Sequence, residues 1–264
     1  MQDPVFMSVK ITPNTILISG VGCYSYLVMG DEMAMMIDTG MSHRDIHEYA
    51  RQFTDLPITG VINTHGHFDH TGGNGWFKVA YMHPYAATEA KKPFDDSEYP
   101  LDYEIVTVED GHMFDLGSRK LQVIYDGAHN PGSIAILDRQ NRMLFTGDEV
   151  DPGQVLIFRM AGHQENIQSC QSIQNHQRNM RKLKAYYDDF DIICPGHNGM
   201  AIHKSYINDF IVCDQMILDG AQGKTDITSP SMHFPGLPTS RRFEYKGAHI
   251  CYDIDMIYDE QVKK

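Results

Sequence analysis

Thr64-His65-Gly66-His67-Phe68-Asp69-His70-Thr71-Gly72-Gly73 places three imidazoles and a carboxylate within six residues. The stretch follows an apolar run over 58–63 that reads as a short buried strand. On a helix, His65 and His67 would point about 200° apart and could not serve one small ion. In a loop leaving a strand, Gly66 lets the backbone turn sharply, so that both rings converge. Asp69 and His70 then face the other side of the turn, and one loop feeds two adjacent metals. Imidazole is the commonest side-chain metal ligand, and the chain holds 14 histidines.

Outward from this loop the chain alternates strands with helices. Strands are predicted over 5–11, 15–19, 25–29 and 33–37, the last two joined by a hairpin at Gly30-Asp31-Glu32. Ser42 is placed to cap a helix reaching about residue 53. Further strands are predicted over 77–82, 104–108, 120–126, 133–137, 142–145 and 191–194, and helices over 84–91, 165–187 and 201–218. A hairpin around Lys246-Gly247-Ala248 follows a Pro-, Ser- and Gly-rich loop over 223–240. With no repeat, low-complexity tract or linker, the economical reading is a single α/β domain over 1–264.

Three later segments carry an isolated ligand type at a strand end: Gly127-Ala128-His129-Asn130-Pro131-Gly132-Ser133, Leu144-Phe145-Thr146-Gly147-Asp148 and Cys194-Pro195-Gly196-His197. An early Ile37-Asp38-Thr39-Gly40 precedes them all. HxHxDH after an apolar strand, followed in this order by such elements, resembles the metallo-β-lactamase superfamily, and the resemblance runs from about residue 16 to 200. It implies an αββα sandwich, two packed mixed sheets covered by helices. It further implies two divalent metal sites: His65, His67 and His129 at the first, Asp69, His70 and His197 at the second, and Asp148 bridging them. Nitrogen and carboxylate ligands suit zinc and also admit iron or manganese. Metal binding lowers the pKa of water from about 15.7 toward about 7, giving a hydroxide nucleophile at neutral pH. Asp69 would handle the proton passed to the leaving group, and Asp38 would orient a ligand or its loop.

The same residues narrow the chemistry. His67 stands where flavodiiron relatives carry Glu, and Asp148 stands where true β-lactamases lack an aspartate. Glu149, Val150 and Asp151 stand where acyl-homoserine lactonases carry a Tyr. The β-like 243–257 differs from the basic helical end of glyoxalase II-like enzymes. A hydrolase cleaving an ester, lactone or thioester of a small molecule is the first reading. A phosphodiesterase and a mononuclear-iron persulfide dioxygenase-like enzyme are the alternatives.

Composition agrees with a globular enzyme. Hydrophobic residues make up 42% and charged residues 22%. A net charge of −13 repels nucleic acid and anionic membranes, so the expected partner is a small-molecule substrate. The five cysteines form no CxxC and read as buried free thiols, and Met1-Gln2-Asp3-Pro4 lacks the basic start of a secretory signal; both point to the cytoplasm. His43 and His47 read as exposed positions on a helix. Arg159 and His163 are candidate substrate contacts, and Tyr99 and Tyr103 candidate lid residues. Trp76, Phe77 and the methionines at 29, 33, 35, 36 and 41 read as core.

Overall fold

Four consecutive buried residues, Ala34-Met35-Met36-Ile37, mark a strand covered on both faces, the pattern of a sheet interior. In the computed structural model, which describes residues 5–93, 98–159, 171–227 and 236–262, that strand sits inside a seven-stranded sheet. The strands follow in sequence order: β1 (Met7–Thr12), β2 (Thr15–Ser19), β3 (Tyr24–Met29), β4 (Ala34–Ile37), β5 (Ile58–Ile62), β6 (Val79–Met82) and β7 (Glu104–Thr107). β1 to β4 are antiparallel neighbours and β4 to β7 parallel ones. Antiparallel pairs close through tight turns, whereas parallel pairs need a crossover. The crossover from β5 to β6 is the His-rich segment itself.

These strands belong to the first of two compact units, Met1–Tyr125 with Ile134–Phe145. The same unit carries an antiparallel run ordered β11 (Met143–Gly147, of which it holds the residues up to Phe145), β10 (Ile134–Asp138), β9 (Lys120–Tyr125), β8 (Met113–Asp115). One buried cation ties the two sheets together. Arg119 is 1% exposed. Its Nε and Nη2 reach Asp138 on β10 at 2.8 and 2.6 Å. Its remaining donors go to the Asn14 carbonyl at 2.6 Å, the Met29 carbonyl at 3.3 Å and Thr15 Oγ at 2.9 Å. The core methionines 29, 35 and 36 and Phe77 are buried as expected.

Two helix expectations in this unit change. α1 (Ile46–Ala50) starts beyond Ser42, because Asp45 accepts the Glu48 N–H at 2.8 Å and forms the better cap. Ser42 Oγ instead accepts from the Arg44 N–H. His43 therefore lies outside the helix and stacks on Tyr99 at 4.3 Å. The helix expected over 84–91 is a single 3-10 turn at Ala86–Thr88. Short α2 (Phe68–Thr71) forms within the His-rich segment.

The second unit comprises Asp126–Ser133 and Thr146–Lys264. β12 (Val155–Ile157) runs parallel to β16 (Ala248–Asp253), which forms the expected terminal hairpin with β15 (Ser240–Tyr245). β13 (Ile192–Pro195) pairs with the short β14 (Ile202–His203), so that residues expected to open a helix at 201 are strand. α4 starts later, as Tyr206–Leu218, and α5 is Asp259–Val262. α3 (Ile173–Lys184) is capped by Ser172, whose Oγ accepts from the Asn175 N–H at 2.9 Å. The part of its expected range before 171 lies outside the described residues, as does His163. Cys23, Cys194, Cys213 and Cys251 are buried thiols outside any disulfide. Among the described residues no helix is long and apolar enough to cross a membrane.

Candidate metal centre

In the first unit, β5 ends at Ile62 and hands the chain to Asn63 and Thr64, both buried. Asp38 anchors the loop that begins there. It adopts φ +54°, a left-handed conformation that Asp tolerates better than most residues. Its Oδ1 accepts the Thr64 N–H at 2.8 Å, and its Oδ2 accepts the Thr64 hydroxyl at 2.7 Å and His70 Nδ1–H at 2.9 Å. With His70 Nδ1 protonated for Asp38, Nε2 keeps its lone pair. The Thr64 hydroxyl, having donated to Asp38, can only accept from His65 Nδ1 at 3.2 Å, which leaves His65 Nε2 unprotonated as well.

These constraints aim the rings. His65 Nε2 and His67 Nδ1 stand 3.1 Å apart, and His70 Nε2 stands 3.7 Å from Asp69 Oδ2. Two donors that share an ion at about 2.1 Å can be at most about 4.2 Å apart, so each pair fits one divalent ion. Gly66 acts differently from the expected sharp turn, since its φ is not positive. A Cβ there would meet the Ala86 carbonyl oxygen at 2.5 Å, so glycine is required by close approach. Behind His70, burial pushes the Cys23 thiol up to about 11 against the opposing influence of His70.

In the second unit, the loop after β9 carries His129. Its N–H and that of Ala128 both donate to Glu149 Oε1 at 2.8 Å. Its Nδ1 donates to the Leu156 carbonyl at 2.7 Å, leaving Nε2 unprotonated. Gly147, at φ +51°, turns the chain at the end of β11, and Asp148 comes next. Asp148 divides its carboxylate: Oδ2 faces His129 Nε2 at 3.6 Å and Oδ1 faces His197 Nε2 at 3.5 Å. His197 leaves β13 through Pro195-Gly196. Next to it, Asn198 Nδ2 donates to Asp151 Oδ1 at 2.8 Å. Burial, reinforced by the Asp148 charge, pushes the Asp151 carboxyl up to about 6.

Behind these loops lies a buried polar group that sequence reasoning missed. His176 on α3 sets Nδ1 against both Asp214 oxygens at 3.0 and 2.9 Å, and its Nε2 donates to the Glu149 carbonyl at 3.1 Å. Burial acts to lower the His176 pKa, but Asp214 and Glu149 outweigh it and raise it to about 9. The available signal was a histidine in the apolar stripe Ile173, His176, Met180, Leu183. Among the other candidates, Arg159 is bonded to Asp253 at 2.8 Å and to Asp255. Tyr103 is buried with its hydroxyl on the Ala90 carbonyl, so it is no lid. Tyr99 packs edge-on against Phe68 at 4.7 Å.

Comparison with known proteins adds four findings. A family model described as Metallo-beta-lactamase superfamily matches residues 18–197. The acyl-coenzyme A thioesterase MBLAC2 of Bos taurus is 30% identical over 172 residues, 52% of this chain and 62% of the relative. A hydroxyacylglutathione hydrolase of Dictyostelium discoideum is 28% identical over 137 residues, 47% of each chain. The matches thus span about half to three fifths of these curated relatives' lengths. In structure, the DIM-1 metallo-beta-lactamase aligns with TM-score 0.62 at 17% identity, over 82% of this chain and 100% of that one. That likeness shows the fold, an α/β sandwich of mixed sheets flanked by helices.

Proposed function

The chain belongs to the metallo-β-lactamase superfamily, and we propose that it is a dinuclear metal-dependent hydrolase acting on a small thioester, ester or lactone. The observation that carries this reading is the divided Asp148 carboxylate, with one oxygen toward His129 and the other toward His197. A carboxylate flanked in this way by two imidazoles could contribute to an ion held by either of them. On this reading His65, His67 and His129 would hold one ion and Asp69, His70 and His197 the second, with Asp148 common to both. Zinc is the first choice, with iron or manganese admitted by the same ligands.

Bound there, two divalent ions would lower the pKa of a water toward about 7 and polarise the bond under attack. The chain's own residues do the rest. Asp38 and the Leu156 carbonyl hold His70 and His129 in the tautomers that carry no proton on Nε2. Asp69, with 22% of its side chain open to solvent, carries the proton released on attack to the leaving group. A thioester is the first substrate to test, because the bovine relative is named a thioesterase. The net charge of −13 favours a small molecule over nucleic acid.

The test is metal analysis of the purified chain by inductively coupled plasma mass spectrometry, with a panel of thioester, ester, lactone and phosphodiester substrates. The expected result is about two ions per chain and thioester turnover abolished by chelation. One iron per chain with no hydrolysis would overturn the reading.

A further inference from the structure

Three polar side chains on one face of α3 reach backbone carbonyls of two separate loops. Asn179 Nδ2 donates to the Asp126 carbonyl at 2.7 Å, Asn175 Nδ2 to the Gly127 carbonyl, and His176 Nε2 to the Glu149 carbonyl at 3.1 Å. The first two carbonyls precede His129, and the third belongs to the residue after Asp148. Asp214 on α4 fixes the His176 ring from behind. Glu149 then closes the circuit, since its Oε1 receives the N–H groups of both Ala128 and His129 at 2.8 Å. Glu149, His176 and Asp214 are all fully buried. Buried polar groups are costly unless bonded, so this arrangement has a structural job.

We propose that Glu149 is a positioning residue for metal binding: its side chain fixes the backbone of His129 while its own carbonyl, held by the His176–Asp214 pair, fixes Asp148. The proposal rests on the assignment of His129 and Asp148 as ligands. Glu149 touches neither substrate nor metal. It sets the spacing between His129 Nε2 and the Asp148 carboxylate by joining the two loops through a single side chain. The apolar alternative, a packed aliphatic residue at 149, would leave two buried N–H groups without an acceptor.

Two variants separate reach from charge. Glu149→Gln keeps an oxygen at the same reach and removes the charge. Glu149→Asp keeps the charge and withdraws it by one methylene, out of reach of the two N–H groups together. Hydrogen exchange of the peptide spanning 126–133 is followed in metal-free protein, and cobalt(II) affinity and the visible absorption of the cobalt-loaded protein are measured alongside. For Glu149→Gln, exchange and cobalt affinity are expected within about threefold of the parent. For Glu149→Asp, exchange of the Ala128 and His129 amides is expected to rise at least about tenfold, cobalt affinity to fall about tenfold or more, and the absorption to shift. Two intact variants, two equally impaired ones, or the reverse order would each overturn the proposal. Failure of the parent to bind cobalt, with the exchange pattern as expected, would remove the metal reading and leave the loop-joining role standing.

Discussion

Replacing Asp38 by Asn isolates the role of one carboxylate without disturbing the backbone, because Asn accepts the φ of +54° at this position as readily as Asp. Asp38 receives three donors: the Thr64 N–H on Oδ1, and the Thr64 hydroxyl and His70 Nδ1–H on Oδ2. An amide has one acceptor oxygen. If that oxygen takes the Oδ2 position, the amide nitrogen opposes the Thr64 N–H, two donors at 2.8 Å. If it takes the Oδ1 position, the nitrogen faces His70 Nδ1, whose proton must move to Nε2, the atom assigned to the metal. Each route loses a bond to a charged acceptor, about 1.5–3 kcal/mol. That corresponds to a metal affinity weakened roughly 10- to 100-fold, the usual range for removing the partner of a ligand. The assay is competitive titration with a chromophoric chelator, read beside the thermal midpoint of the metal-free protein. Parent-like affinity for both ions would refute the claim that Asp38 sets the His70 tautomer.

Three further outcomes are expected. Asp148→Ala lowers occupancy of both ions and activity together; two ions per chain retained in the variant would remove the shared-ligand assignment. Arg119→Met leaves Asp138 buried without its cation and costs about 3–5 kcal/mol, a fall of roughly 10 °C in Tm; a thermal melt shifted by less than about 3 °C would contradict the account of how the two sheets are tied. In metal-free protein, the His176 pKa raised from 6.5 to about 9 means that its stabilisation is complete below pH 6.5 and is lost as pH rises through 9. Chemical denaturation between pH 6 and 10 tests this, and Asp214→Asn should flatten the profile; an equal slope in the variant would assign the loss to another group.

The parts of the fold legible in the sequence are those where one residue type has one physical use. Four candidate ligands in six residues, after an apolar strand, have few uses besides holding metal, and the structure aims His65 at His67 and His70 at Asp69. Most strand positions followed from period and punctuation, and the terminal hairpin at Lys246-Gly247 formed as read. What escaped was pairing. Glu149 looked like a departure from a lactonase detail, and His176 drew no reading at all, because nothing local reveals that Asp214 waits on another helix. Arg119 was equally silent, since its acceptors lie at residues 14, 15, 29 and 138. The helix starts moved for a related reason: Ser42 and Asp45 both qualify as caps by type, and only the N–H each one meets decides between them.

The grip of α3 falls on carbonyl oxygens at Asp126, Gly127 and Glu149, a group every amino acid presents. It is therefore blind to which side chains the gripped loops carry. Mutational tolerance toward this grip should be lopsided as a result: the side chains at 126 and 127 can drift and their carbonyls still be held, while Asn175, His176 and Asn179 bear the cost of change. A saturation scan of this chain would find intolerant positions on a helix assigned no metal ligand, beside those at the assigned ligands and Glu149, and a lineage could change the side chains at 126 and 127 without having to rebuild what holds them.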